Sequence, residues 1–346
     1  MADLYFLLSG EHDTLPISEL RAILNAEDYT YEISENLDQV VRLTADRFVC
    51  EEAVKPRAAF TRLCGLELFN CEAKTSRILK SACSADFKMV LREEESFAVR
   101  VRRVKNCARE IDRMVLERKL GRVLLKKTKT AKVDLEKPDK VFIGILTDQR
   151  FIFGMKLAEI PPKPFIDRRP IKKPFFHPSA MQAKLARCMV NLSQPKTGDL
   201  VFDPFCGTGT MLVEALLIGC RVLGSDIKRN MVKGALKNLV HFKMNPEGIL
   251  VADARMVPVA KVDCVVTDPP YGRSATTMKR PAEQVVKEVL GSVHDLLDAG
   301  KRVCIAAPKR LNIRPIGMGL GYKHLESHFV YVHRSLTREV AVFERV

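Results

Sequence analysis

The sequence predicts an α+β amino-terminal region followed by a doubly wound α/β domain, and three observations carry that expectation. The first 72 residues read in the order β-α-β-β-α-β; a sixteen-residue segment at 160–175, IPPKPFIDRRPIKKPF, holds five prolines; and beyond it continuous hydrophobic strands alternate with amphipathic helices. Such an alternation buries a parallel sheet on both faces, and sheets of this kind take their ligands at the strand carboxyl ends.

In the first region LYFLLSG reads as a strand and LPISELRAILNAE as a helix, with Thr14 as its cap and Pro16 in its first turn. YTYEIS and QVVRLTA follow as strands, CEEAVKPRAAF as a helix and CGLELFNC as a strand, which is the ferredoxin-like order. A second unit reads as a helix (TSRILKSACS), a strand (SFAVRVRRV), a long basic amphipathic helix and two further strands (KVFIGILTD and RFIFGMKLAEI). In SFAVRVRRV, Phe97, Val99 and Val101 alternate with Arg100 and Arg102, which sets the arginines on one sheet face. The proline-dense segment is expected to stay extended and to join neither neighbouring core. After it, HPSAMQAKLARCMVNL, GTMLVEALLIG and RNMVKGALKNLVHF read as helices, and DLVFDPF, RVLGSDI, GILVADA, VDCVVTD and KRVCIAAP as buried strands.

With 346 residues, 47% hydrophobic and 29% charged, the chain reads as globular and long enough for two or three domains. No stretch approaches the ~20 apolar residues of a membrane span, and MADLYFLLSGEHD lacks the marks of a signal peptide, so a cytoplasmic protein is expected. None of the ten cysteines falls in a C-x-x-C pair, and no metal site is expected. The 57 Lys and Arg exceed the 42 Asp and Glu by 15. Residues 100–132 alone hold 13 Lys/Arg against Glu110, Asp112 and Glu117. Concentrated positive charge is the footprint of a polyanion partner, or else a solvated helix face.

The chemistry gathers at the strand tips. In VFDPFCGTGTMLVEA a buried strand ends at Asp203, Gly207 and Gly209 permit a tight turn, and a helix begins. A carboxylate ahead of such a loop repels phosphate and suits a cationic ligand carrying an ammonium or a sulfonium. Asp226 ends RVLGSD, placed to accept from ribose hydroxyls; Asp253 ends GILVAD, placed to accept from an adenine amine; Asp268 ends CVVTD and opens DPPYG. A single Asp after a strand is commonly a cap or turn residue, and DPPYG alone is sound β-turn chemistry, but four acids at successive tips form a pattern.

This set resembles the S-adenosylmethionine-dependent amino-methyltransferases of the Rossmann-like class, with DPFCGTG as cofactor loop and DPPY as catalytic motif. The resemblance implies a mostly parallel seven-stranded sheet and a cofactor lying against His177, Pro178 and Ser179, the loop Asp203, Pro204, Phe205, Cys206, Gly207, Thr208, Gly209 and Thr210, Asp226 with Ile227, Asp253 with Ala254, and Asp268. His177 equally suits a packed or capping role. The implied catalytic residues are Asp268, Pro269, Pro270 and Tyr271. An exocyclic amine on a nucleobase donates its lone pair into the ring and is a poor nucleophile. Acceptors at the Asp268 carboxylate and the Pro269 carbonyl would turn that lone pair outward, the prolines fixing the backbone. Tyr271 would stack on the base, worth roughly 1–3 kcal/mol, and Gly272 would leave it room.

With RRP…FFHPSAM…LAR.MVNL ahead of the loop and a ferredoxin-like plus THUMP order in front, the whole chain resembles the archaeal tRNA guanine-10 N2-methyltransferase family, many of whose members dimethylate. The resemblance implies a ferredoxin-like domain over 1–72, a THUMP RNA-binding domain over 73–159, a basic linker over 160–175 and a methyltransferase domain over 176–346. It implies tRNA as partner, gripped near its acceptor end, and a protein acting as a monomer or with a small accessory protein. Arg100, Arg102, Arg103, Lys105, Lys126, Lys127 and Lys129 would meet phosphate, and Arg168, Arg169, Lys172 and Lys173 would bridge the modules. Another guanosine of tRNA or rRNA, or DNA adenine or cytosine, is the alternative target. Protein glutamine is disfavoured by Asp rather than Asn before the prolines.

Overall fold

The computed structural model describes residues 1–128, 130–270 and 281–346. The chain forms two compact units: residues 1–11, 28–56 and 61–160, and residues 12–27, 57–60 and 161–346.

The first unit is built on one eight-stranded sheet. Its strands are β1 (Ala2–Leu8), β2 (Tyr31–Leu37), β3 (Val40–Ala45), β4 (Thr61–Glu72), β5 (Ser96–Arg103), β6 (Lys132–Val133), β7 (Lys140–Thr147) and β8 (Arg150–Glu159), in the order β2-β3-β1-β4-β8-β7-β5-β6. Pairing is antiparallel except where β5 runs parallel to β6 and β7. Helix α1 (Leu15–Ala26) follows β1 in sequence but belongs to the second unit. The helix expected over CEEAVKPRAAF is a π-turn at Cys50–Val54 running into a single turn, α2 (Lys55–Arg57), because the chain must straighten for β4 at Thr61.

Helices α3 (Thr75–Ser84) and α4 (Arg113–Thr128) pack on the sheet around Phe87, Phe97, Phe142 and Phe153. Phe142 and Phe153 stack with centroids 6.0 Å apart, a geometry worth about 1 kcal/mol beyond burial. The basic helix begins only at Arg113 and buries Leu116, Leu120 and Leu124 at four-residue spacing. Arg113, Arg118, Lys119, Arg122 and Lys126 consequently stay exposed.

The second unit carries a seven-stranded sheet: β9 (Leu200–Asp203), β10 (Arg221–Asp226), β11 (Gly248–Val251), β12 (Cys264–Thr267), β13 (Arg302–Pro308), β14 (Tyr322–His333) and β15 (Leu336–Arg345), in the order β11-β10-β9-β12-β13-β15-β14. The first five strands of that order are parallel, and β15 and β14 close the edge as an antiparallel hairpin. The continuous hydrophobic runs have a simple origin, since alternate residues feed two cores. Val201, Cys264, Val266, Val340 and Val342 enter the layer of α6 (Ala183–Leu192), α7 (Thr210–Leu216) and α8 (Arg229–His241), where Leu15 and Ala22 of α1 also pack. Phe202, Val265, Ile305, Ala341 and Phe343 enter the layer of α9 (Ala282–His294) and α10 (Ile313–Met318).

Two further expectations are corrected. The proline-dense segment is not extended throughout: it forms α5 (Lys163–Asp167) and a 3-10 turn at Pro170–Lys172, and Pro170 and Lys173 are buried in the second unit. Proline is tolerated in the first turn of each, where its missing N–H costs nothing. Thr14 does not cap α1 with its hydroxyl, which instead meets His328 Nδ1 at 2.7 Å; His12 Nδ1 takes the Thr14 and Leu15 amides.

Candidate active site

Strand β9 is flanked by β10 on one side and β12 on the other, so the helical crossovers diverge there and a crevice opens at the carboxyl ends. A cavity of about 620 Å³ occupies it, a volume ordinary for a nucleotide-sized ligand.

The β9–α7 loop forms one wall. Gly207 (φ 52°) and Gly209 (φ 76°) both adopt left-handed backbone, open to glycine at little cost. A Cβ on Gly209 would also come within 3.2 Å of Ala235 Cβ. The Cys206 amide donates to Ser225 O at 2.8 Å and the Gly207 amide to Asp226 Oδ2 at 3.1 Å, which leans the loop onto the tip of β10. Buried Asn238 of α8 secures it from behind, donating to Thr208 O (2.9 Å) and Phe175 O (3.0 Å) while accepting from the Phe175 amide (2.9 Å).

Asp226 takes the Lys228 amide on its other oxygen at 2.8 Å. Each oxygen thus holds one backbone bond and retains a lone pair for a ligand hydroxyl. Burial raises its carboxyl above the ordinary range, against the pull of those amides and of Lys228 and His177. Ile227 beside it lines the cavity yet is 40% exposed, an apolar face available to a flat ring. Asp253 accepts from its own neighbour Arg255, whose Nη2 lies 2.6 Å away, with buried Ala254 between them. His177, Pro178 and Ser179 line the opposite side; His177 Nδ1 sits 2.7 Å from the Ser179 hydroxyl.

Asp268, Pro269 and Pro270 reach the same cavity, whereas Tyr271 and Gly272 lie outside the described residues. The anticipated cofactor residues divide accordingly. Pro204, Phe205, Gly207, Asp226, Ile227, Asp253, Ala254 and Asp268 line the cavity; Asp203, Cys206, Thr208, Gly209 and Thr210 do not. Asp203 is buried, accepting from the Thr267 hydroxyl (2.8 Å) and the Phe205 amide (3.0 Å). Burial pushes its carboxyl up to about 7, and the negative charges of Asp268 and Asp226 add to the rise.

Arg338 of β15 was not singled out by the sequence pattern. Its Nη2 lies 3.2 Å from Asp268 Oδ2, and both side chains are mostly buried, at 13% and 17% exposure. It arrives there because antiparallel β15 starts opposite the carboxyl end of β13, with Arg338 facing Pro308. His333 and Leu336 of the same hairpin also line the cavity. No local spacing signals such a partner, since the link is a strand register.

The basic residues are placed variously. In the first unit Arg62, Arg102, Arg103, Lys105 and Arg113 surround a smaller pocket of about 260 Å³. Arg102 pairs with Glu159 and Lys105 with Asp38, each at 2.9 Å. Arg103 donates to the carbonyls of Ala108 and Ile111, Arg100 to Leu135 O at 2.8 Å, and Lys127 to Ala85 O at 2.5 Å. Lys126 and Arg169 are exposed, Lys172 pairs with Asp167 at 2.9 Å, and Lys129 lies outside the described residues. Arg168 is committed inward, sharing fully buried Glu214 with Arg187 at 2.7 and 2.9 Å. Lys173 is buried against the Thr210 hydroxyl at 2.8 Å. Among the described residues no helix is long and apolar enough to cross a membrane.

Family models match in two places: an RMKL-like methyltransferase domain over residues 170–337 and a THUMP domain over residues 72–153. The chain is 38% identical to the tRNA (guanine(10)-N2)-dimethyltransferase of Methanothermobacter thermautotrophicus, over 99% of this chain and 100% of that protein. It is 33% identical to the protein of the same name from Methanocaldococcus jannaschii, over 99% of each. Among solved structures, TrmN from Thermus thermophilus superposes with a TM-score of 0.55 at 21% identity, over 99% of this chain and 100% of that one. A possible methylase from Clostridium difficile 630 gives 0.56 at 15% identity, over 100% of this chain and 98% of that one. At those identities the likeness speaks to the fold.

Proposed function

The chain belongs to the tRNA (guanine(10)-N2)-dimethyltransferase family, and from that premise we propose that it methylates, twice, the exocyclic N2 amine of guanosine 10 in tRNA. The observation that carries this reading is the convergence of Asp226, Asp253 and Asp268 on one cavity at the switch point of the sheet. In the cavity lining the four acids Asp226, Asp253, Asp268 and Glu288 outnumber Lys228, Arg255 and Arg338, a balance that suits a cationic cofactor, and S-adenosylmethionine would supply an electrophilic sulfonium methyl. Asp226 would hold its ribose hydroxyls, Asp253 and the Ala254 backbone its adenine edge, and the exposed face of Ile227 one side of its ring.

The chain's own part in the chemistry is positional. Asp268 and the Pro269 carbonyl would grip the amine N–H bonds and aim the nitrogen lone pair; Tyr271 would support the base. Such alignment can supply about 7–11 kcal/mol of the barrier. Asp268 would take the proton the amine loses, directly or through water. Arg338, whose Nη2 lies 3.2 Å from Asp268 Oδ2, would hold that carboxyl group in place. The THUMP region would hold the tRNA through its phosphates while the guanine is flipped, at a cost of a few kcal/mol.

Asp268→Ala should lower methyl transfer by about 10²–10⁴-fold and leave S-adenosylmethionine affinity, measured by calorimetry, within a few-fold of wild type. A variant with wild-type turnover would remove Asp268 from the reaction.

A further inference from the structure

In the first unit Arg62, Arg102, Arg103, Lys105 and Arg113 line one pocket of about 260 Å³, and no carboxylate lines it with them. Arg62 lies near the start of β4, Arg102 and Arg103 end β5, and Arg113 opens α4. Successive strand residues face opposite ways, so Arg102 and Arg103 share a pocket because it lies where β5 ends. The chain leaves the sheet there with Lys105 in left-handed backbone (φ 47°), which a non-glycine residue adopts at a cost. Protein partners offset part of the charge: Glu159 pairs with Arg102 and Asp38 with Lys105, each at 2.9 Å. Arg62 and Arg113 are exposed and have no ion-pair partner among the described residues. Arg102 uses one nitrogen on Glu159, and Arg103 uses Nη2 on two backbone carbonyls while its Nε meets no acceptor. Like charges gathered around a concavity repel one another, and an anion relieves that repulsion.

We propose that this pocket takes a terminal phosphate, the 5′-monophosphate of the substrate tRNA. This inference rests on the tRNA reading above. A phosphomonoester carries close to two negative charges near neutral pH and has three oxygens open to donors. A backbone phosphodiester carries one charge and two such oxygens, and its chain must continue on both sides, which suits an open surface rather than a pocket. Guanidinium forks match phosphate oxygens two at a time, and four of the five cations here are arginines. The 5′ end is where a mature tRNA carries a monoester. An endonuclease that removes the leader of a precursor leaves such an end, so methyl transfer would follow that cleavage.

The test uses the full chain and one tRNA in three forms: with a 5′-monophosphate, with a 5′-hydroxyl, and with a short 5′ leader that turns the same phosphate into a diester. Dissociation constants are measured at one fixed salt concentration. Wild type should bind the monophosphate form about tenfold or more tighter than either of the others. Inorganic phosphate added as a competitor should weaken the monophosphate form alone. In the double variant Arg62→Ala, Arg113→Ala the preference should fall to within about twofold of unity, with S-adenosylmethionine Kd within about twofold of wild type as evidence of an intact fold. The three forms share every other contact, so the altered ratio isolates the terminal phosphate. Arg62→Lys with Arg113→Lys keeps the charge without the fork and should retain part of the preference. Equal wild-type affinities for the monophosphate and hydroxyl forms would overturn the assignment, even where inorganic phosphate binds the pocket. A double variant that weakens all three forms alike would also overturn it, and leave the pocket as a seat for an internal phosphodiester. Wild type that binds none of the three would instead refute the tRNA reading itself.

Discussion

At Asp203 the position of a single carboxyl decides between two roles. It ends strand β9 as expected, yet it is buried and contributes nothing to the cavity lining. Its carboxyl, pushed up to about 7 chiefly by burial, binds a proton more tightly in the folded chain than in the unfolded one. The consequence for stability has a definite sign. Between about pH 4, where the unfolded acid ionises, and about 7, where the folded one does, rising pH costs the native state up to about 4 kcal/mol. Asp203→Asn should therefore gain stability over wild type at pH 8 and show little gain at pH 4–5, as read from urea melts. An advantage that does not grow with pH would contradict the burial argument. Residues of this kind were legible because a strand followed directly by an acid is a local signal. Arg338 was illegible for the opposite reason: it reaches Asp268 across 70 positions of sequence through the register of β15 on β13.

Among elements, the linker changes the picture most. Its five prolines read as extended chain, but Pro164 and Pro170 sit in the opening turns of short helical pieces, and Arg168, Lys173 and Phe175 tie those pieces to α7 and α8. The bond that matters most is Arg168–Glu214–Arg187, which stands on the helix that follows the glycine loop. Removing Glu214 takes the ion-pair partner from Arg168 and Arg187, whose side chains are 12% and 4% exposed. Glu214→Ala should cost about 3–5 kcal/mol in a denaturant melt, while Arg169→Ala, at an exposed position of the same segment, should cost under about 0.5. Equal effects would mean that the linker is not docked. The misreading has a physical cause, since proline content restricts the local backbone but says nothing of the partners that neighbouring cations find. Thr14 teaches the same lesson, its hydroxyl drawn from the helix end to His328, 314 residues away.

For the molecule as a whole, the alternation of strands and helices made the α/β sheet readable, and the net charge of +15 made a polyanion partner readable. Several of the cations singled out for it also hold protein partners: Arg102 pairs with Glu159, Lys105 with Asp38, and Arg100 and Arg103 donate to backbone carbonyls. Arg62 and Arg113 line the basic pocket of the first unit beside Arg102, Arg103 and Lys105. Affinity for tRNA should fall steeply with salt, and Arg62→Ala with Arg113→Ala should flatten the log–log slope by about one per lost phosphate contact. A salt-independent affinity would argue against phosphate binding. The account's central claim is that the cavity delivers methyl groups to a guanine amine, and nucleoside analysis reads this directly. After incubation of the protein with S-adenosylmethionine and unmodified tRNA, mass spectrometry of the digested nucleosides should find N2-methylguanosine and then N2,N2-dimethylguanosine, both forming at least about 10²-fold more slowly with Asp268→Ala; methylated adenosine or cytidine in their place, or no methylated nucleoside at all, would contradict it.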